Sequence, residues 1–288
     1  MKLHRPYPDG EISLTPDEAG WTWCGLSVLR LAAAESRTVH TGESEVFVLP
    51  LSGGLSVDVD GEAFLLDGRP SVFAGASDFA YAGRDSTLTL TSRDGAEVAL
   101  PAARCEHRGP PAYGMAADVP IEVRGAGPST RQVRNFGVPG VWEHAEKLIA
   151  CEVITPPGNW SSYPPHKHDP SEGSVAVDEE IYYYRIAGPD QLMPGRHGFG
   201  LHRAYTDATH HAVGLAALDE TLEVRDGDIV LIPHGYHGPC VAAPGYPMYY
   251  LNVLAGPGER SMAFCDDPAH AWIRDSWTEQ APDPRAVP

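Results

Sequence analysis

Residues 159–186 read NWSSYPPHKHDPSEGSVAVDEEIYYYRI. Two histidines, His166 and His168, flank one lysine, a Gly/Ser loop follows, and the carboxylate pair Glu179 and Glu180 opens an aromatic run. In an extended chain residues two apart share a face, so the H-x-H aims both imidazoles at one point. Aligned imidazoles invite a metal, and a carboxylate on the next strand would supply a third ligand. A fourth candidate lies in GDIVLIPHGYH, residues 227–237, where a buried-looking strand ends in a Pro/Gly turn that presents His237.

The order H-x-H, Glu, then G-x5-P-x-G-x-H resembles the two motifs of the cupins, in which three His and one Glu from a small β-barrel hold one divalent metal. More narrowly, SSYPPHKHD, EEIYYYRI, DGDIVLIPHGYH, YYLNVLAG and DDPAHAWI resemble words of the 5-deoxy-glucuronate isomerase family of myo-inositol catabolism, related to the 5-keto-4-deoxyuronate isomerases. The likeness runs over residues 124–272, and the first third is similar mainly in layout. It implies His166, His168, Glu180 and His237 as metal ligands. Asp169, Glu172, Asp178 and Glu179 are rival carboxylates. Glu180 is preferred because it aligns with Glu45 in an internal repeat and directly precedes the aromatic strand, as the motif glutamate does in the cupins that this chain resembles. Asp178 and Glu179 then fall to a solvated loop end.

That repeat organises the chain. Glu45-Val-Phe-Val-Leu echoes Glu180-Ile-Tyr-Tyr-Tyr at an offset of 135 residues, close to half of 288. A duplicated barrel is the simplest reading: an all-β bicupin with few short helices. Residues 1–135 form an N-terminal cupin-like barrel without metal ligands, and residues 136–288 form the metal-binding barrel and a C-terminal tail. The first copy has His40-Thr-Gly-Glu-Ser where the H-x-H should stand, and His40 reads as a solvated or hydrogen-bonded loop histidine. Thirty Gly and 27 Pro punctuate short runs of Val, Leu, Tyr and Phe, the rhythm of strands and turns, with SGG and DG as hairpin signals. Short helices are expected only near residues 15–20 and 267–275.

Composition narrows the function classes. A formal net charge of −18 disfavours nucleic acid and anionic membrane surfaces as partners. No run approaches the length of a membrane span and no basic-then-apolar leader is present, which favours the cytoplasm. Five scattered cysteines without C-x-x-C spacing argue for reduced thiols rather than a disulfide framework. An acidic chain still binds an anionic metabolite through local arginines or a metal. Residues 101–140 are rich in Pro, Gly and Arg, and their RGAGPSTRQVRNFG carries Arg124, Arg131 and Arg134. This is either a solvated basic loop or the source of an arginine that pairs with a substrate carboxylate, for which the guanidinium fork is suited. Arg131 is taken forward as that candidate.

Strand parity extends the site. Tyr182 and Tyr184 share the face of Glu180, where they either line the pocket as catalytic groups or serve as core aromatics. Arg203 and Tyr205 lie on one face, opposite His202, and are substrate-binding candidates if that face is the inner one. His234, three residues before His237, is a candidate proton-transfer group or a surface turn residue. Asn252 interrupts an apolar strand and needs a hydrogen-bond partner if buried.

Three imidazoles and one carboxylate suit one divalent ion, with Zn expected and Mn, Fe or Ni admitted. The resemblance implies an intramolecular oxidoreductase, an aldose–ketose isomerase that converts 5-deoxy-D-glucuronate to 5-dehydro-2-deoxy-D-gluconate. Such a reaction has no net redox change, in keeping with the absence of a dinucleotide fingerprint. A metal-dependent cupin dioxygenase and a non-catalytic sugar-acid-binding bicupin are the alternatives. The expected partner is a small sugar acid, and edge strands leave room for a homo-oligomer.

Overall fold

The computed structural model describes residues 2–7, 10–187 and 198–287. Among these residues the chain forms antiparallel sheets joined by turns and a few short helices, and no helix is long and apolar enough to cross a membrane. All five cysteines are free.

A seven-stranded sheet forms the centre, in the order His4–Arg5, Ile229–Ile232, Glu179–Ile186, Met248–Ala255, Ile149–Thr155, Arg131–Gly137, Ile121–Arg124. Facing it is a six-stranded sheet built on Gly200–Tyr205, Tyr236–Ala242 and His166–Lys167. Tyr182, Tyr184, Ile232, Met248 and Tyr250 from the first sheet pack against Ala204, Cys240 and Ala242 from the second. The reverse face of the central sheet carries Ile181, Tyr183, Leu231, Tyr249 and Leu251, and these pack on Leu26, Phe47, Leu49 and Tyr81 of the N-terminal half. The strand Glu179–Ile186 is therefore covered on both faces, which explains its unbroken apolar and aromatic run. Phe136 makes edge contacts with Phe47 and Phe79 at centroid distances of 5.4 and 5.1 Å, an aromatic seam between the halves.

Two sequence expectations change here. The residue 135/136 boundary falls inside the strand Arg131–Gly137, and Ile121–Arg124 and His4–Arg5 also join the C-terminal sheet. The chain thus trades strands between its halves, a pairing that no linker composition signals. SGG is not a hairpin turn. The single strand Ser44–Val59 runs through it with Gly53 at φ +74°, where a Cβ would lie 2.3 Å from the Gly95 carbonyl oxygen. The glycine lets one strand bend from one sheet into the next. The Asp60-Gly61 turn does close a hairpin, with Val59 opposite Glu62.

The expected N-terminal helix spans Pro16–Ala19, capped by Thr15 in a capping box with Glu18 and ended by Gly20 at φ +83°. In the tail, Asp267 accepts the N–H groups of Ala269, His270 and Ala271 in a turn, and the helix proper is Ile273–Ser276.

Candidate metal centre and its cavity

The strand pairing brings the separated motifs together. His166 is the direct cross-strand partner of His237, and Glu180 lies on the facing sheet between Ile232 and Leu254. Each imidazole donates its Nδ1–H to a backbone carbonyl: His166 to Pro164 at 3.2 Å, His168 to Asp178 at 3.0 Å and His237 to Gly235 at 2.9 Å. That commitment leaves Nε2 of each ring as a lone pair.

The Nε2 atoms of His168 and His237 stand 3.0 and 2.9 Å from the same Glu180 oxygen, Oε2. Three electron-pair donors at such separations repel one another unless a cation lies among them, and spacings of roughly 3 Å are those that bonds of about 2.1 Å to one divalent ion impose on neighbouring ligands. The donor set therefore fits a metal. His166 flanks it, with its ring 4.8 Å from that of His237, and burial together with His237 drives its pKa well down, so it stays neutral.

Further contacts orient these groups. Asn252, from the strand beside Glu180, donates its side-chain N–H to Glu180 Oε1. Asp169 accepts the Gly235 N–H at 2.7 Å and the Ser171 N–H at 2.9 Å, tying the H-x-H segment to the turn that presents His237. Lys167, between the two histidines, points away from them and is buried, with Nζ on Ser171 Oγ, the Glu172 carbonyl and the face of Tyr236.

The centre opens into a cavity of about 430 Å³, within the range of small-molecule sites. His166, His168, Glu180, Asn252 and Tyr182 line it, together with Arg124, Arg131 and Arg274. Asp178 also faces the cavity, and burial pushes its carboxyl up to about 6. The Tyr182 hydroxyl lies 3.3 Å from Ser162 Oγ, and burial raises its pKa far above the usual phenol value, so it is a neutral donor.

Several sequence candidates sit elsewhere. Tyr184 shares the face of Glu180 but lies deeper, its hydroxyl on His202 Nδ1 at 2.7 Å. His202 and Ala204 occupy the inner face of their strand and are fully buried, so parity turns Arg203 and Tyr205 outward. There Arg203 pairs with Asp219, and Tyr205 donates to Asp267. His234 donates Nε2–H to the Ala216 carbonyl on the surface side of its turn. None of Tyr184, Arg203, Tyr205 and His234 lines the cavity among the described residues. Sequence reasoning passed over Arg274, Asp178 and Asp169. Arg274 lies in a tail with no periodicity to mark it, Asp178 reads as a solvated loop end, and Asp169 stands only as a rival ligand carboxylate.

The sequence model of the KduI/IolB family matches residues 2–273. The chain belongs to that family. Among KduI/IolB relatives it is 36% identical over 280 residues to the 5-deoxy-glucuronate isomerase of Geobacillus kaustophilus, covering 95% of this chain and 94% of that one. To the 5-deoxy-glucuronate isomerase of Bacillus subtilis strain 168 it is 36% identical over 266 residues, with 90% and 91% covered. The crystal structure of an IolB-like protein from Salmonella typhimurium superposes with a TM-score of 0.83 at 32% identity, covering 95% of this chain and 99% of that one. Oxalate decarboxylase from Lactobacillus farciminis superposes with a TM-score of 0.64 at 14% identity over 91% and 88% of the two chains, which shows the shared bicupin fold alone.

Proposed function

We propose that this KduI/IolB chain is a 5-deoxy-glucuronate isomerase of myo-inositol catabolism, an intramolecular oxidoreductase working with one divalent ion. Its substrate is 5-deoxy-D-glucuronate and its product 5-dehydro-2-deoxy-D-gluconate. The observation that carries this reading is the approach of His168 and His237 Nε2 to Glu180 Oε2, at 3.0 and 2.9 Å, beside a cavity that arginines also line, in a chain similar along nearly its whole length to isomerases of that name.

When bound, the ion supplies a Lewis acid that polarises the carbonyl and stabilises charge as a proton leaves carbon. His166, His168, Glu180 and His237 hold it, and zinc is the first expectation, with Mn, Fe and Ni accepted by the same donors. The Nδ1–H bonds to Pro164, Asp178 and Gly235 keep the Nε2 atoms facing inward. Asn252 fixes the rotation of the Glu180 carboxylate. Tyr182 presents a neutral hydroxyl to the cavity, and Asp178 is the cavity carboxyl outside the ligand set, which makes these two the candidates to donate and accept the transferred proton.

The test incubates metal-analysed protein with 5-deoxy-D-glucuronate in deuterated water and follows carbon and proton NMR, beside EDTA-treated and His168→Ala controls. Ketone formed only by the loaded wild type, with deuterium at the receiving carbon, is the expected result. Substrate left unchanged under every divalent ion supplied would overturn the reading.

A further inference from the structure

Three guanidinium groups reach the cavity, and their partners differ. Arg124 is held by both oxygens of Glu122, at 2.9 and 2.6 Å. Arg274, from the C-terminal segment, is held by both oxygens of Asp266. Arg131 has no such partner. It is 5% exposed, and among the described residues its only hydrogen bond is from Nη1 to the Ser129 carbonyl at 3.1 Å. A guanidinium carries five N–H donors, so this leaves most of them for a ligand.

The position is built for that side chain. Its guanidinium carbon lies 5.5 Å from the centroid of Trp277, a ring that Arg274 also covers at 5.3 Å. Gly125 at φ +79° lies beneath it, and a Cβ there would stand 2.8 Å from Nη1. Burial above all, and the neighbouring Arg124 and Arg274, disfavour its charge, and the attraction of Tyr250 and Glu122 does not make up for them. Glu122 and Asp266 neutralise Arg124 and Arg274, which leaves the charge of the buried Arg131 fork without a carboxylate hydrogen-bonded to it among the described residues. Such a charge is costly unless an anion completes it.

We propose that Arg131 is the receptor for the carboxylate of a singly charged sugar acid, and that Trp277, brought in by the C-terminal segment, holds its guanidinium in place. The assignment rests on the isomerase reading for the identity of the acid. With the carboxylate fixed at Arg131 and the metal centre lining the same cavity, the sugar has one end for binding and the other for reaction. Arg131 thereby decides which carbonyl is presented.

Calorimetric titration of the metal-loaded protein with D-glucuronate and with the neutral D-glucuronamide tests this without turnover. Wild type should prefer the acid by about 30- to 100-fold, the size of a charge-assisted bidentate pair. Arg131→Met should reduce that preference to about one while leaving the melting temperature unchanged or higher, because removing an uncompensated buried charge relieves the fold. Arg131→Lys keeps the charge without the fork and should fall between, which also serves if the Met variant does not fold. An acid preference that survives in both variants overturns the proposal, as does a wild type with no preference. A lowered melting temperature with the preference intact would reduce Arg131 to a structural group. Should the wild type fail to isomerise 5-deoxy-D-glucuronate yet show a preference that Arg131→Met abolishes, the receptor stands and the isomerase reading falls.

Discussion

Glu45 and Glu179 clasp the two halves of the chain reciprocally. The Glu45 carboxylate accepts the backbone N–H groups of Glu146, Lys147 and Leu148, where the C-terminal half begins its first inner strand. The Glu179 carboxylate accepts those of Thr22, Trp23 and Cys24, at the matching point of the N-terminal half. Each carboxylate thus satisfies a strand start that would otherwise leave donors unpaired. Glu45→Gln replaces one acceptor oxygen by an N–H that meets other N–H groups, and it strands the Tyr81 hydroxyl. We expect a loss of about 3 kcal/mol and a melting temperature lower by roughly 10 °C, with metal content unchanged. Calorimetry on the variant checks it, and a melting temperature within error of wild type would refute the clasp.

Asp169 should govern metal affinity without touching the metal. It links the H-x-H segment to Gly235, whose carbonyl in turn accepts the Nδ1–H of His237. Asp169→Asn keeps the size but exchanges an acceptor for a donor facing the Gly235 N–H. Metal affinity, measured by chelator competition, should weaken about 10- to 100-fold. An unchanged affinity would show that the turn holds itself.

Glu152 is buried among Arg69, Arg134 and Tyr249 at the junction of the halves. Glu152→Gln removes the only carboxylate between the two guanidinium groups among the described residues and should cost about 3–5 kcal/mol in urea unfolding. The double variant with Arg69→Met should recover part of that loss. If the single variant unfolds at the wild-type urea concentration, the pair contributes nothing net.

His202 supplies a pH signature. Burial, and then the nearby His237, lower its pKa from 6.5 to about 3, so the folded protein keeps it neutral. The folded value lies below the unfolded one, so its contribution is fully present above about pH 6.5 and is lost as the pH falls toward 3, by up to about 1.4 kcal/mol per pH unit. Denaturant unfolding at pH 7 and pH 5 should show a steeper loss in wild type than in His202→Gln. Nitrogen NMR should find a neutral ring at pH 4, and a protonated ring there would disprove the shift.

The repeat was legible in the sequence, but its alignment was off by one residue. By hydrogen bonding, Glu45 corresponds to Glu179, not Glu180: both carboxylates cap the opposite half, and the partners across the sheet, Ala103 and Ala255, also match. Glu180 is nonetheless the carboxylate that the cupin resemblance selects, because it directly precedes the aromatic strand, and alternation then fixes which neighbours share its face. The same alternation placed Tyr182 beside it. It offered no depth, so Tyr184, one pleat further from the mouth, was indistinguishable from Tyr182. For Arg203 and Tyr205 alternation gave two equal answers, and only the burial of His202 and Ala204 chose between them.

What the sequence by itself determined is therefore local: all-β rhythm from its turns, the family from its motif words, and the inward face of H-x-H, Glu180 and His237 from a period of two and a Pro/Gly turn. These follow from spacing along one segment, which chain geometry converts directly into direction. Only the tertiary structure decided that three donors come together, that among the described residues Arg131 has no carboxylate partner while Arg124 and Arg274 are neutralised, and that the central strand is covered from behind. Such facts depend on contacts between residues far apart in the chain, as Arg131 and Trp277 are, and on which charges remain uncompensated after every other pair has formed.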